Sequence, residues 1–334
     1  MAGVDREVLG AIHKTALSHV SRSIGRDPGE FGDFAFLIKI GGTALALHAD
    51  GVGTKALLAS RPEDYRCIGV DAVAMNVNDL VCVGARPVAF LDYIAMSRPD
   101  PDAVSAVLEG ISEGCRESGA RLVGGETAVM PDVFSDERTV DVVGFAAGTP
   151  VSPAFRRRVK EGDVLVGLES SGLHANGFSL VRKVLLGGDA RRADEVASSL
   201  GRTLRDELMR PTRIYVRPVL RLLIRGPRPT GMAHVTGGGF LKLRRLVAGK
   251  RLRVNVDSLP EPPKIFRVIQ EEGKIEWSEM CRTFNMGVGM VLAFREVDVD
   301  EALKKLRGMG YGTAVIGSVE RGEGVIVSGV RIDR

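Results

Sequence analysis

Apolar residues recur at helical spacing over 7–20 (Val8, Ile12, Ala16, Leu17, Val20), which predicts an opening helix before a loop-like stretch at 25–32. Runs at 34–40 and 44–47 then predict a β-hairpin turned at Gly41 and Gly42. Further on, Val73, Val77, Leu80 and Val81 form an apolar stripe at helical spacing, with Asp71 as the expected N-cap and Gly84 in place to end the helix. Ala72, Met75, Asn76 and Asp79 share a neighbouring face, so an amide and a carboxylate sit on an otherwise apolar helix. A strand is expected at 88–94. Asp100-Pro101 opens another helix, with Val104, Val107, Leu108, Ile111 and Cys115 inward and Gly119 at its end. A short strand ending in Gly124-Gly125-Glu126-Thr127-Ala128 follows, then a strand at 141–148.

Pro150 and Pro153, followed by Arg156, Arg157, Arg158 and Lys160, mark a boundary between two units, 1–152 and 153–334. In the second unit the pattern predicts strands at 164–168, 232–235, 288–294, 313–319 and 325–332. It also predicts helices at 178–186 and around Ala302, Leu303 and Leu306. Strands and helices interleave without a strict βαβ rhythm, which points to an α/β (α+β type) chain of two α/β domains. Neither GxGxxG nor GxxxxGK[ST] is present.

The chemistry concentrates at 48–87. His48-Ala49-Asp50-Gly51-Val52-Gly53-Thr54-Lys55 places a carboxylate, two glycines, a hydroxyl and a lysine at a strand's end. Glycines there let backbone approach a ligand, and free N–H groups beside Lys55 suit phosphate oxygens. A buried Asp79 needs a partner, and Asp50 and Asp79 together suit Mg²⁺, which takes carboxylates plus substrate phosphates. Each feature has a plainer reading: Asp50-Gly51 as a turn, Asp71 as a cap, Asp79 paired with an arginine. Their clustering at element ends favours a site. Glu126 repeats the arrangement at a second strand end. Ser170-Ser171-Gly172-Leu173-His174-Ala175-Asn176-Gly177 joins a strand to a helix N-terminus, an arrangement that binds phosphate. His234 precedes Thr236-Gly237-Gly238-Gly239, where a close backbone approach is expected.

Composition narrows the classes. With 334 residues, 44% apolar and 26% charged, the chain suits a soluble globular protein. No apolar window of about eighteen residues is present, and 1–7 lacks a signal-peptide core, so a cytoplasmic enzyme without a membrane partner is expected. The four cysteines are scattered through apolar runs and read as buried, reduced thiols. Arginines crowd 182–228 without aromatics to stack on bases, so a salt-bridged surface is expected there rather than nucleic-acid binding.

Taken together, Asp50 to Lys55, Gly69-Val70-Asp71 through Pro87, Phe90-Leu91-Asp92-Tyr93, 124–131, 170–182, Pro211-Thr212-Arg213-Ile214-Tyr215-Val216, 234–239 and 280–289 resemble the aminoimidazole ribonucleotide synthetase family, the phosphoribosylformylglycinamidine cyclo-ligases. The resemblance spans about residues 48 to 294. It implies an N-terminal ATP-binding, homodimer-forming domain and a C-terminal mixed-sheet domain. It also implies that ATP phosphorylates the formyl oxygen of formylglycinamidine ribonucleotide before ring closure to aminoimidazole ribonucleotide, ADP and phosphate. On this resemblance Asp50 and Asp79 would bind Mg²⁺, while Gly51, Gly53, Thr54 and Lys55 would hold ATP phosphates. Asp71, Asn76, Gly125, Glu126 and Thr127 would complete the nucleotide site. Ser170, Ser171, Gly172, His174 and Asn176 would hold the substrate's ribose phosphate, and His234 would move protons or orient substrate.

The chain departs from the family pattern at Ala175, where a serine is common, and at Leu243 to Leu246, where Asn-x-Pro-Arg is usual. Selenophosphate synthetase would need a cysteine before Cys67, and thiamine-monophosphate kinase should lack the 170–176 and 282–287 runs. A non-catalytic nucleotide-binding paralogue should have lost Asp50, Asp71, Asp79 and Glu126, which are all present.

Overall fold

The computed structural model describes residues 34–134, 139–151, 158–197 and 199–333, with scattered positions between 8 and 22. Most of the expected opening helix, the 25–32 loop and the charged boundary at 152–157 lie outside the described residues. The described positions between 8 and 22 are helical, with Val8 and Ile12 at 55% and 57% exposed.

The first sheet contains β1 (Phe36–Ile40), β2 (Thr43–Gly51), β3 (Ala85–Met96), β4 (Arg121–Val129) and β5 (Val140–Pro150), in the order β1-β2-β5-β3-β4. Only β3 and β4 pair in parallel. The expected hairpin forms, with Gly41 at φ +58°. β2 outruns its apolar stretch because Asp50 and Gly51 still pair with Gly144 and Val143 of β5. Asp50 therefore stands on the last rungs of a ladder.

Helix α1 (Pro62–Cys82) begins at a proline in its first turn, with Arg61 and Asp64 completing the cap. Asp71, expected as the N-cap, is a mid-helix residue. The sequence pattern hid this because α1 is buried almost all round, which removes the amphipathic contrast that marks a helix start. It lies between the sheet and α2 (Pro101–Ser118), whose Asp100 cap and Gly119 end are as expected. A side chain at Gly69 would land on the Val107 carbonyl and one at Gly110 on the Arg66 carbonyl, so the two helices cross in backbone contact.

β4 runs through Gly124 to Thr127 instead of ending there. Gly125 lies opposite Asp92, and any side chain on it would collide with that carboxylate. The face of this sheet away from α1 and α2 exposes Leu91 and Tyr93 of β3 and Phe145 of β5, with Leu91 directly opposite Phe145.

The second sheet contains β6 (Val164–Glu169), β9 (Gly231–His234), β10 (Leu252–Val256), β11 (Val288–Phe294), β12 (Thr313–Arg321), β13 (Gly324–Val327) and β14 (Val330–Arg331). Their order is β14-β13-β10-β12-β6-β11-β9. A two-residue ribbon, β7 (Val196–Ala197) with β8 (Arg202–Thr203), stands apart. The strand expected at 325–332 is split by a turn at Ser328 and Gly329, both at positive φ. α3 (Phe178–Leu186) matches its expected span, and α8 (Val299–Arg307) carries the expected Ala302, Leu303 and Leu306. α4 (Leu204–Leu208), α5 (Val216–Arg225), α6 (Lys264–Gly273) and α7 (Trp277–Thr283) complete the half.

Several arginines of 182–228 form exposed ion pairs, such as Arg191–Asp189 and Arg192–Glu195. Arg205 is the exception: it is 3% exposed, 2.6 Å from Asp194 and 3.5 Å from Asp64 of α1. All four cysteines are buried and free. No helix among the described residues is long and apolar enough to cross a membrane.

Candidate active site

The end of β2, helix α1 and the end of β9 bring Asp50, Asp79 and His234 to the junction of the two halves, with His48 between them. His234 Nδ1 is 2.8 Å from Asp79 Oδ1, and His48 Nε2 is 3.3 Å from Asp79 Oδ2. His48 and Asp50 are two apart on a strand and so share a face, a relationship the period-two alternation of a strand carries in the sequence itself.

The tautomers follow from the bonds. Asn76 Nδ2 donates to the carbonyls of Asp50 (3.1 Å) and Ala72 (2.8 Å), so its Oδ1 must accept from His48 Nδ1 at 3.0 Å. His48 Nε2 faces a carboxylate, so both ring nitrogens donate and the imidazolium is favoured. Burial opposes that charge, but Asp79, Asn76 and Asp50 outweigh it and hold the His48 pKa above 6.5. On the other side, Asn78 Nδ2 lies 3.3 Å from His234 Nε2 and also donates to the Arg213 carbonyl at 2.9 Å. His234 Nε2 is thus an acceptor, and its Nδ1–H points at Asp79.

Asp79 receives both rings. Burial alone would raise its pKa, yet the hydrogen bonds from His234 and His48 hold it far below the carboxylate range. Asp50 is raised by burial, with His48 opposing and Asp79 adding to the rise. One oxygen of Asp50 accepts from Gly51 N at 2.8 Å.

Lys55, expected on ATP phosphates, is placed elsewhere. Its ammonium is sealed at 0% exposure, 2.7 Å from Asp71 Oδ2 and 2.8 Å from the Arg210 carbonyl. Burial would lower its pKa, but Asp71 and Cys67 raise it on balance. Asp71, expected in the nucleotide site, uses its other oxygen to accept from Thr212 N at 2.7 Å. Asn78 adds a bond from Tyr215 N at 2.8 Å. Lys55, Asp71 and Asn78 therefore hold the backbone of 210–215 onto α1. This contact is 135 to 155 residues long in sequence, which no local pattern reveals. Asn76, also expected at the nucleotide, is fully buried among the bonds above.

The Ser170 loop lies against the same turn, since Thr54 Oγ1 is 3.1 Å from Ser179 Oγ in the first turn of α3. Ser170 Oγ donates to the Gly172 carbonyl, Ser171 Oγ to that of Pro211, and Asn285 Nδ2 also to Gly172. Asn176 Nδ2 reaches Met75 Sδ of α1 at 3.8 Å. His174 is held at φ +63° and accepts from Ser171 N on Nε2. Burial above all, with the Lys55 and Arg213 charges, holds its pKa well below 6.5, so it is neutral with its proton on Nδ1. That buried Nδ1 has no partner within the protein.

Gly125, Glu126 and Thr127 do not join this cluster. Asp50, Gly144, Asp92 and Gly125 form one row across β2, β5, β3 and β4, which puts Gly125 three strand spacings, roughly 14 Å, from Asp50. Glu126 is exposed and accepts from Thr127 N at 3.1 Å.

Among the described residues no set of three or more His, Cys, Asp and Glu side chains is arranged to hold a metal ion. Asp50 and Asp79 still fit Mg²⁺, because that ion takes one or two carboxylates and completes its shell with phosphates and water.

Residues 32–149 match the family model for the N-terminal domain of AIR synthase related proteins, and 160–329 match that for the C-terminal domain. A phosphoribosylformylglycinamidine cyclo-ligase of Pseudothermotoga lettingae is 45% identical over 308 residues, covering 90% of each chain. One of Saccharolobus solfataricus is 41% identical over 327 residues, covering 98% of this chain and 94% of the other. The crystal structure of thiamine monophosphate kinase from Aquifex aeolicus shares the fold at 17% identity, with a TM-score of 0.65 over 98% of this chain and 99% of that one. The chain belongs to the AIR synthase related family, on its phosphoribosylformylglycinamidine cyclo-ligase branch.

Proposed function

We propose that the junction of the two halves is the site where this phosphoribosylformylglycinamidine cyclo-ligase, with ATP, closes the imidazole ring of aminoimidazole ribonucleotide, a step of purine biosynthesis. The observation that carries the placement is the meeting of Asp79, His48 and His234 beside the Gly51–Thr54 turn and the Ser170 loop.

The formyl oxygen of formylglycinamidine ribonucleotide is a poor leaving group. It attacks the γ-phosphorus of ATP, forming an O–P bond as the bond to ADP breaks. The ribosylated nitrogen then attacks the activated carbon, and the C–O bond breaks to expel phosphate. In such reactions a protein mainly positions groups and neutralises charge.

Asp50 and Asp79 would hold Mg²⁺, which when bound supplies positive charge at the phosphates. His48 and His234 fix the Asp79 carboxylate from both sides. The backbone of Gly51, Gly53 and Thr54 holds ATP phosphates, and the Lys55–Asp71 pair fixes that turn from behind. Gly125, Glu126 and Thr127 meet the far end of the nucleotide along the cross-strand row. Ser170, Ser171, Gly172, His174 and Asn176 hold the ribose phosphate, where the His174 Nδ1–H is the donor left over. His234, with both nitrogens engaged, orients substrate and carboxylate.

The domains of this reading are 1–152 and 153–334, in a cytoplasmic homodimer that binds no nucleic acid. The exposed apolar face of β3 and β5 supports the dimer, since one contiguous apolar face of a sheet marks an interaction surface.

The test mixes the purified protein with formylglycinamidine ribonucleotide and Mg²⁺-ATP and follows aminoimidazole ribonucleotide and ADP together. Equal, substrate-dependent formation of both is expected. ADP without the imidazole product would replace this reading with a kinase-like activity.

A further inference from the structure

The turn Gly239–Val247, which follows the β9 end carrying His234, bears three basic residues. Arg245 stacks on Phe34, its guanidinium carbon 4.6 Å from the ring centre. Arg244 reaches Asp333 at 3.9 Å. Lys242 is half-buried, and among the described residues no hydrogen bond or ion pair within contact distance holds it. The charges it senses are those of Asp79 and Asp50, across the junction, with Arg245 repelling it from its own turn. Burial is the largest influence on Lys242 and lowers its pKa. The turn itself is firmly seated, because any side chain at Gly239 would strike the carbonyls of Cys281 and Phe284.

We propose that Lys242 is a catalytic residue, whose ammonium contacts the phosphoryl group as it passes from ATP to the formyl oxygen. The proposal rests on the cyclo-ligase reading and its Asp50–Asp79 pair. A cation that is half out of water without a partner is unfavourable, and a methionine would fill the same space without that cost. What recommends a lysine here is an anion that arrives with the substrate. Transferred phosphoryl groups carry charge over three oxygens, and catalysis depends on cations placed around them. Lys55 does not supply one, since its ammonium is committed to Asp71 and Arg210. With Asp50 and Asp79 engaged by a divalent cation, the phosphoryl oxygens would be the anions left for the Lys242 ammonium to meet.

The experiment compares the wild type with Lys242→Met, Lys242→Arg and, as a control on the underlying reading, Asp79→Asn. It records kcat for imidazole formation, KM for the ribonucleotide, affinity for β,γ-methylene ATP with Mg²⁺, and Tm. Lys242→Met should lower kcat about a hundredfold with Tm unchanged or raised. Lys242→Arg should recover to within about tenfold of the wild type, because it restores the charge but not the point geometry. Lys242→Met with the kcat and nucleotide affinity of the wild type would overturn the proposal. So would an equal loss in both Lys242 variants together with a lower Tm, which would mark a structural role. An active Asp79→Asn enzyme would overturn the site reading itself, whereas an inactive one beside an active Lys242→Met would remove only the role of Lys242.

Discussion

Asp79 of α1 and His234 of β9 meet at 2.8 Å across the junction of the two sheets, 155 residues apart in the chain. The bond fixes a carboxylate that would otherwise be free to rotate, and His48 grips its second oxygen. Three side chains from three elements thus meet at one point of the junction.

Asp79→Asn keeps the shape of that contact and removes its charge. Turnover should fall by at least about a hundredfold, while far-ultraviolet circular dichroism stays that of the wild type. Retention of full activity would remove Asp79 from the metal site.

The Lys55–Asp71 pair is sealed from water at both ends. Lys55→Met leaves Asp71 charged and without its cation, so urea unfolding should show a loss of about 3–5 kcal/mol. The double variant Lys55→Met, Asp71→Leu should recover part of that loss. A stable Lys55→Met enzyme with weakened ATP binding would instead return Lys55 to the phosphates.

His48 is held above its ordinary pKa, so the folded state binds its proton more tightly than the unfolded chain does. The stability this gives is fully present below about 6.5 and is lost as pH rises through the folded value. The stability difference between the wild type and His48→Ala should therefore shrink from pH 6 towards pH 9, as read by chemical denaturation. A difference that grows with pH would mean His48 is neutral in the fold.

Leu91 and Phe145 lie opposite each other on the exposed apolar face of β3 and β5. Leu91→Asp with Phe145→Lys should convert a dimer to a monomer in light scattering, with secondary structure retained. A wild type that is already monomeric would remove the dimer from the proposal.

Much of this arrangement is legible in the sequence. The hairpin at Gly41–Gly42, the Asp100 cap, α3 and β11 all follow from local spacing and turn chemistry. The start of α1 was not legible, because Gly69 interrupts its pattern and is there for the crossing with α2. The glycines of β4 resembled a strand end, yet Gly125 serves the Asp92 carboxylate on the neighbouring strand. Lys55 carried a phosphate-binding signal in its local sequence, while its actual partners come from α1 and from residue 210, far along the chain. Local patterns named the chemical groups; which of them face each other depends on tertiary contacts.

The grip of α1 on residues 210–215 also bears on how the chain acquires its structure. Asp71 and Asn78, with Lys55 from the preceding turn, find their partners on a segment synthesised well over a hundred residues later. Until that segment arrives, the face of α1 that it covers stays open to water, and Asp71 and Asn78 lack their native partners. The nascent chain therefore waits on its own C-terminal half, and the two sheets should melt in one cooperative transition.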